Sequence, residues 1–357
     1  MRILIDIGHP AHVYLFKNLA QEMQKNGHSF YFTVREGENE TELLEELEFN
    51  YIRIGKKRRT KIGKIFGLLI FPWKILVLAL KFSPNLFLSH GSMYAGIAAF
   101  LLGKPHIAME DTGNMEQIKF SKPVSSVILS PDVLPLYIGP KHIKYNGYHE
   151  IAYLHPDYYT PDKNIFKWLN INSNQLYAIV RFIAWGASHD MGHVGLSDNQ
   201  KIKLVNMLSN YIKVFISSEG LLPRELEKYR MKIPFDKIHD AMYFARLYVG
   251  EGATMASESG ILGVPSIYIS TNQTYINNDQ EKYGTVFNSF DYEKVKSKII
   301  EILENDNSIY LFKMRSQKLL TEKINVTPFF IWFVENYPQS YSLLKNNPDH
   351  QYHFYKS

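Results

Sequence analysis

Apolar runs of strand length alternate with helix-length segments along this chain, and the alternation runs through twice. The first series pairs RILIDI (2–7) with an amphipathic segment ending at Gly27, then SFYFTV (29–34) with ELLEELEF (42–49). YIRI (51–54), NLFLSH (85–90), PHIAME (105–110) and SSVILS (125–130) continue it, with MYAGIAAFLLG as a helix between the second and third of these. Turn formers and aromatics interrupt the pattern at GYHEIAYLHPDYYTPDKN, residues 147–164. It restarts with LYAIVRF (176–182), a helix at 198–211, KVFISSE (213–219), a short helix near 223–228 and MKIPF (231–235). A helix at 239–246, LYVG (247–250), a short helix, SIYIS (266–270) and helices near 292–304, 308–320 and 326–337 complete it. Strands and helices in strict alternation imply parallel sheets with helices on both faces. The expected fold class is therefore α/β, with two Rossmann-like doubly wound domains. Residues 1–155 form the first domain and 165–325 the second, and 326–357 form a last helix and tail. Ligands of such sheets bind outside the carboxyl ends of the strands, where the strand order reverses.

Length and composition agree. The chain has 357 residues, enough for two domains with their own cores. Hydrophobic residues make up 45%, which excludes a disordered chain. The net charge of +5 is too small to imply nucleic acid, and none is expected as a partner. There is no cysteine, so disulfides and thiolate metal sites are excluded. The opening residues run directly into a strand without a signal-like apolar core, and the expected location is cytoplasmic.

One segment bears on that location. KKRRTKIGKIFGLLIFPWKILVLALKF, residues 56–82, is a basic cluster followed by a long apolar run. Lys64, Pro72 and Lys74 divide it into pieces too short for a spanning helix. Two readings stay open: a helix packed on the sheet with a basic approach loop, or a membrane-surface patch. In the second, Lys56, Lys57, Arg58, Arg59 and Lys61 meet anionic lipid.

The most informative loop is GEGATMASES, residues 250–259. Gly250, Gly252 and Ala253 have small or absent side chains, so a diphosphate can approach their amides closely. Thr254 offers a hydroxyl and a helix cap. The amides and dipole at a helix entrance favour an anion. Glu258, four residues further on, is placed to accept hydrogen bonds from sugar hydroxyls. A tight turn with Glu258 in solvent is the plain alternative. The loop after the first strand, GHPAH, lacks the GxGxxG fingerprint of dinucleotide binding.

At these residues the sequence resembles a known superfamily. GEGATMASESGILGVPSI (250–267) is similar to the glycine-rich segment, helix acid and Gly-x-Pro strand entry of GT-B-fold proteins. Those include UDP-sugar glycosyltransferases and the non-hydrolysing UDP-N-acetylglucosamine 2-epimerases. Over roughly residues 1–340 the chain resembles a GT-B-like family known as domain of unknown function 354. RILIDIGHPAHVYLFKNL, LSHGS (88–92), KYNGYHEIAYLHP (144–156) and VRFIAWGASHD (180–190) carry that resemblance. It implies a nucleotide-sugar site in the second domain, an acceptor domain first, a cleft between them, and a last helix crossing back to the first domain.

The resemblance also implies roles. A histidine in the loop after the first strand is the general base of many GT-B transferases, and His12 fits best, with His9 as second choice; imidazole suits the task. Asp6 or Asp111 would orient it. Glu110 matches a catalytic glutamate of the 2-epimerases, and Glu110 or Asp111 would face the substrate, as adjacent strand residues point to opposite sides. Ser92 stands where those epimerases have a catalytic aspartate, which disfavours their mechanism. Arg181 would clamp the diphosphate. Ser188, Ser218, Glu219 and His239 would line the nucleotide site. His189, Asp190 and His193 lack a further ligand, so no metal is expected. The expectation is a glycosyltransferase for surface polysaccharide synthesis, without a cofactor. It would move a sugar from a UDP-linked donor to a glycan or lipid-linked acceptor. The alternatives are a nucleotide-sugar epimerase or hydrolase, and a non-catalytic nucleotide-sugar-binding protein.

Overall fold

The computed structural model describes residues 1–37, 39–57, 61–183, 195–218, 220–272 and 274–355. The chain divides into two compact units, Met1–Tyr153 with Lys323–Ser357, and Leu154–Glu322.

The first unit holds a seven-stranded parallel sheet. Its strands are β1 (Arg2–Ile7), β2 (Ser29–Glu36), β3 (Tyr51–Lys56), β4 (Leu86–His90), β5 (His106–Met109), β6 (Val127–Pro131) and β7 (His142–Tyr145). They lie in the order β3-β2-β1-β4-β5-β6-β7. The helices between them are α1 (Pro10–Lys25), α2 (Glu40–Glu46), α3 (Lys61–Phe82), α4 (Met93–Leu101) and α5 (Met115–Ser121), with a single turn, α6 (Ile151–Leu154), after β7. Ile3, Leu4, Ile5 and Ile7 are all buried, because helices cover both sides of a parallel sheet. Sequence order reverses between β1 and β4, so the switch point lies at their carboxyl ends.

The second unit begins with a one-turn helix, α7 (Ile165–Trp168), and has a five-stranded parallel sheet. Its strands are β8 (Tyr177–Phe182), β9 (Lys213–Ser218), β10 (Leu247–Gly250), β11 (Ser266–Tyr268) and β12 (Val286–Asn288), in the order β12-β11-β10-β8-β9. Its longer helices are α8 (Asp198–Ser209), α9 (Ile238–Tyr243), α10 (Ala253–Ile261), α11 (Tyr275–Tyr283), α12 (Tyr292–Glu304) and α13 (Ser308–Glu322). The switch point here lies between β8 and β10. Caps set the helix entries: Ser197 and Gln200 form a capping box on α8, and Asp291 accepts from Glu293 and Lys294 to start α12.

After Glu322 the chain rejoins the first unit through α14 (Val326–Glu335) and α15 (Gln339–Asn346). Phe329, Phe330 and Phe333 are fully buried there, and Tyr145 at the end of β7 packs tilted against Phe329 and edge-on against Phe330, at 5.6 and 5.3 Å between centroids.

One local expectation differs from the structure. MKIPF does not form a strand: Pro234 supplies no amide, and only an isolated bridge between Ile216 and Arg230 touches this region. The short strands β7 and β12 were not legible, because three or four residues carry too little periodicity, and helix α11, YINNDQEKY, was missed because it is mostly polar.

Candidate functional site

Each unit gathers polar groups at its own switch point. In the first, β1 ends in a loop that starts α1. His9 is exposed and serves as its N-cap, with Nδ1 accepting from the Ala11 amide at 3.2 Å. Gly8 donates its amide to His12 Nδ1 at 3.3 Å. In neutral His12 the ring proton is then on Nε2, so the ring is a donor on its free side. Burial first, then the charges of His90, His9 and Arg35, hold the His12 pKa well below its ordinary 6.5. A Cβ on Gly8 would lie 2.5 Å from Nη2 of Arg35, whose guanidinium pairs with Asp6.

Neither expected carboxylate orients His12. Asp6 is 1% exposed and accepts from Thr33 Oγ1 at 2.7 Å, Arg35 Nη1 at 2.6 Å and Ser92 Oγ at 2.5 Å. Asp111 bonds two other imidazoles instead, His90 Nε2 at 2.7 Å and His149 Nδ1 at 3.0 Å. His12 lies face to face with His90, their centroids 4.5 Å apart. Burial opposes charge on His90, but the charge and hydrogen bond of Asp111, with Glu110 adding, raise it to about 9. Burial likewise opposes ionisation of Asp111, but His149 and His90 hold it well below the usual carboxylate range. With Nδ1 facing Asp111, His149 keeps its other nitrogen, Nε2, buried and without a hydrogen-bond partner among the described residues. The donor atoms of His90, Asp111 and His149 lie within 4.8 Å of one another, a reach that suits a divalent cation as well as a hydrogen-bonded relay.

Glu110 and Asp111 do part, as adjacent strand-end residues should. Glu110 is 1% exposed, and its Oε1 accepts from the Thr112 amide, the Thr112 hydroxyl and the Gly113 amide, so it shapes the turn. Ser92 caps α4 through the Ala95 amide. Arg35, His90 and His149 were missed as site residues. His90 had a legible signal, since it ends a strand beside the first one, where the order of the strands turns. His149 had only its place in KYNGYHEIAYLHP, one of the segments that carry the resemblance, because it sits in the turn-rich stretch after β7.

In the second unit, Arg181 near the end of β8 pairs in register with Gly250 at the end of β10. A Cβ on Gly250 would meet the Arg181 carbonyl oxygen at 2.6 Å, so only glycine permits this approach. Arg181 Nη1 donates to Ser217 Oγ at 2.6 Å. Ser217, not Ser218, is therefore the β9 residue at this point, and it was missed; Ser218 closes its own turn onto Gly220. Gly252 is the N-cap of α10, with no side-chain cap, so Thr254 does not cap it. The first amides of such a helix have no partner within it. Ala253 starts α10, and its carbonyl accepts from Asn277 Nδ2 at 3.2 Å.

Thr254 is exposed, whereas Glu258 is 5% exposed with Oε1 3.0 Å from His239 Nε2. His239 itself is 3% exposed and meets the Tyr159 ring edge-on. The pair lies one turn beneath the helix tip rather than beside it. Glu251 accepts from the amides of Ile183 and Leu196. Ser188 and Glu219, like His189, Asp190 and His193, lie outside the described residues.

Known proteins share this architecture. A family model described as "Protein of unknown function (DUF354)" matches residues 1–326. An uncharacterized protein of Methanocaldococcus jannaschii is 26% identical over 279 residues, covering 74% of this chain and 80% of its own length. A UDP-GlcNAc 2-epimerase from Neisseria meningitidis bound to UDP-GlcNAc superposes with a TM-score of 0.65 at 14% identity, over 87% of this chain and 94% of the other. A spinosyn rhamnosyltransferase complexed with spinosyn aglycone does so with a TM-score of 0.60 at 12% identity, over 94% and 99%. At such identities the likeness is one of fold: two parallel α/β units of the GT-B type.

Proposed function

The chain belongs to that family of unknown function, and from this premise we propose that it is an enzyme of nucleoside diphosphate sugars, in the first place a UDP-dependent glycosyltransferase. One observation carries the reading. At the switch point of the second unit, an uncapped helix tip with Gly252 as N-cap lies next to Arg181, and Gly250 has no side chain to obstruct the approach. Amides and a guanidinium together suit a diphosphate. The structures superposing on this fold include one bound to UDP-GlcNAc and one, of a glycosyltransferase, in complex with dTDP. The buried Glu258–His239 pair supports the tip from beneath in this reading.

In the reaction, an acceptor hydroxyl oxygen bonds to the anomeric carbon as the bond from that carbon to the diphosphate oxygen breaks. The nucleoside diphosphate leaves with the bonding pair, held by Arg181 and the amides at 252–254. The hydroxyl proton goes to an imidazole of the Asp111 group. His149 is assigned this role because Asp111 engages its Nδ1 and leaves Nε2 as the basic nitrogen, the arrangement an orienting carboxylate produces in acid–base catalysis. His12 is reassigned from base to neutral hydrogen-bond donor, since Gly8 already occupies Nδ1. The acceptor is a glycan or a lipid-linked glycan.

Thermal unfolding with UDP, GDP, dTDP, CMP and their sugars tests the binding step, because a ligand of the folded state raises the melting temperature. UDP compounds are expected to stabilise the protein, and Arg181→Ala to abolish the shift. No shift with any of these compounds would sink the reading. Incubation with UDP-N-acetylglucosamine alone separates the reactions: an epimer or free sugar formed without acceptor would replace transfer by single-substrate chemistry.

A further inference from the structure

Helix α3 is apolar on two opposite sides, and only one of them is covered. Phe71, Ile75 and Ala79 pack into the core with Leu4, Ile54 and Phe87. On the other side Phe66, Leu69, Ile70, Trp73, Val77 and Leu80 are 41–63% exposed. At about 100° per residue these six fall within an arc of roughly 100°, centred opposite the buried three. Large apolar side chains scattered singly on a surface need no explanation, but a continuous stripe along a helix of 22 residues does. No helix among the described residues is long and apolar enough to cross a membrane.

Charge identifies what covers the stripe. From Phe49 to Met109 the sequence has no Asp or Glu and ten Lys or Arg: Arg53, Lys56, Lys57, Arg58, Arg59, Lys61, Lys64, Lys74, Lys81 and Lys104. The whole chain has 40 basic and 35 acidic residues, so the remainder has 30 against 35. The positive charge of this protein is thus concentrated in the segment that carries the stripe. A second copy docking through the same segment would bring like charge against like charge, which disfavours self-association. We propose that α3 lies on an anionic lipid surface, with the stripe in the interface and the net positive charge of the segment drawing it to the headgroups. The arrangement is that of a peripheral contact. It is independent of the nucleotide reading, since every residue in it belongs to the first unit.

Sedimentation of the full chain with vesicles tests this. Vesicles of phosphatidylglycerol and phosphatidylcholine are compared with phosphatidylcholine alone, at about 0.1 M and about 0.5 M salt, where screening differs strongly. Binding is expected to the anionic vesicles, about tenfold weaker at the higher salt. Trp73 fluorescence is expected to shift to the blue on binding, and the shift to vanish in Trp73→Phe. The triple variant Leu69→Ser, Trp73→Ser, Leu80→Ser replaces exposed side chains only, and unchanged thermal unfolding certifies its fold. It is expected to lose vesicle binding. Equal sedimentation of the variant and the original chain, or binding indifferent to lipid charge, overturns the proposal. So does self-association of the original chain, lost in the variant, without vesicle binding.

Discussion

The imidazoles of His12 and His90 lie face to face, 4.5 Å between centroids, yet they favour opposite protonation states. His12 is kept neutral, by burial above all and by the charge of its neighbour, while Asp111 overrides burial to keep His90 protonated. A neutral ring that accepts the Gly8 amide presents a donor to any ligand oxygen. If donation is its task, His12→Gln replaces it in part and His12→Ala does not. We expect His12→Ala to lose about a hundredfold or more in kcat/KM, and His12→Gln to retain about ten times more activity than His12→Ala. Equal losses in steady-state kinetics would return His12 to the role of base.

Asp111 sets the state of His90. In Asp111→Asn the partner charge is gone, and burial, the largest influence on the ring, is opposed only by Glu110 and a backbone hydrogen bond. The His90 titration, read by NMR, is expected to move from about 9 to below the ordinary 6.5. Activity is expected to fall with it, and a His90 titration that stays in place would contradict the assignment.

Gly250 has no room for a methyl group. In Gly250→Ala the new Cβ meets backbone, the Arg181 carbonyl, rather than a side chain that can turn away. The expected cost is about 2 kcal/mol, a fall of about 5 °C in melting temperature for a unit of this size. Calorimetry that shows no change would mean that β8 and β10 separate easily at this point.

Ser217 anchors the guanidinium that the nucleotide reading depends on. Ser217→Ala removes one hydrogen bond, about 1 kcal/mol, and leaves the sheet intact. UDP affinity by titration calorimetry is expected to drop about fivefold with little change in melting temperature. Unaltered affinity would leave Ser217 without a part in binding.

Stability has a predictable optimum in pH. Burial lowers His106 to about 4, and burial together with Lys144 and Lys345 lowers His142 to about 4. Burial also lowers His12. These rings bind fewer protons folded than unfolded, so their contribution is complete above the unfolded value of 6.5 and is lost as pH falls, for His106 and His142 toward about 4. His90 behaves oppositely. Its contribution is complete below 6.5 and is lost as pH rises through about 9. Urea midpoints are expected to peak near neutrality and to decline on both sides; a plateau from pH 5 to about 9 would refute the assigned protonation states.

The long elements were legible because each buries a regular face. Strand β1 and helix α1 follow directly from RILIDI and the amphipathic segment after it. Arg181, Gly250 and Gly252 were legible because strand ends and glycine-rich helix entries mark a switch point in any parallel sheet. The partnerships were not. That Asp111 serves His90 and His149, or that Ser217 holds Arg181, depends on residues brought together across 21, 38 and 36 positions of sequence. Glu258 was assigned to sugar hydroxyls from its spacing and from the family resemblance. Packing against α9 turned it inward to His239, which periodicity cannot foresee.

The first unit is discontinuous: the chain leaves it after Tyr153 and re-enters at Lys323. On the ribosome, everything needed for the second unit emerges before the aromatic cluster of Phe329, Phe330 and Phe333 exists. The later unit in sequence can therefore be the earlier one to mature. Until residues 323–357 have emerged, the nascent amino-terminal sheet lacks the aromatic face that packs on Tyr145.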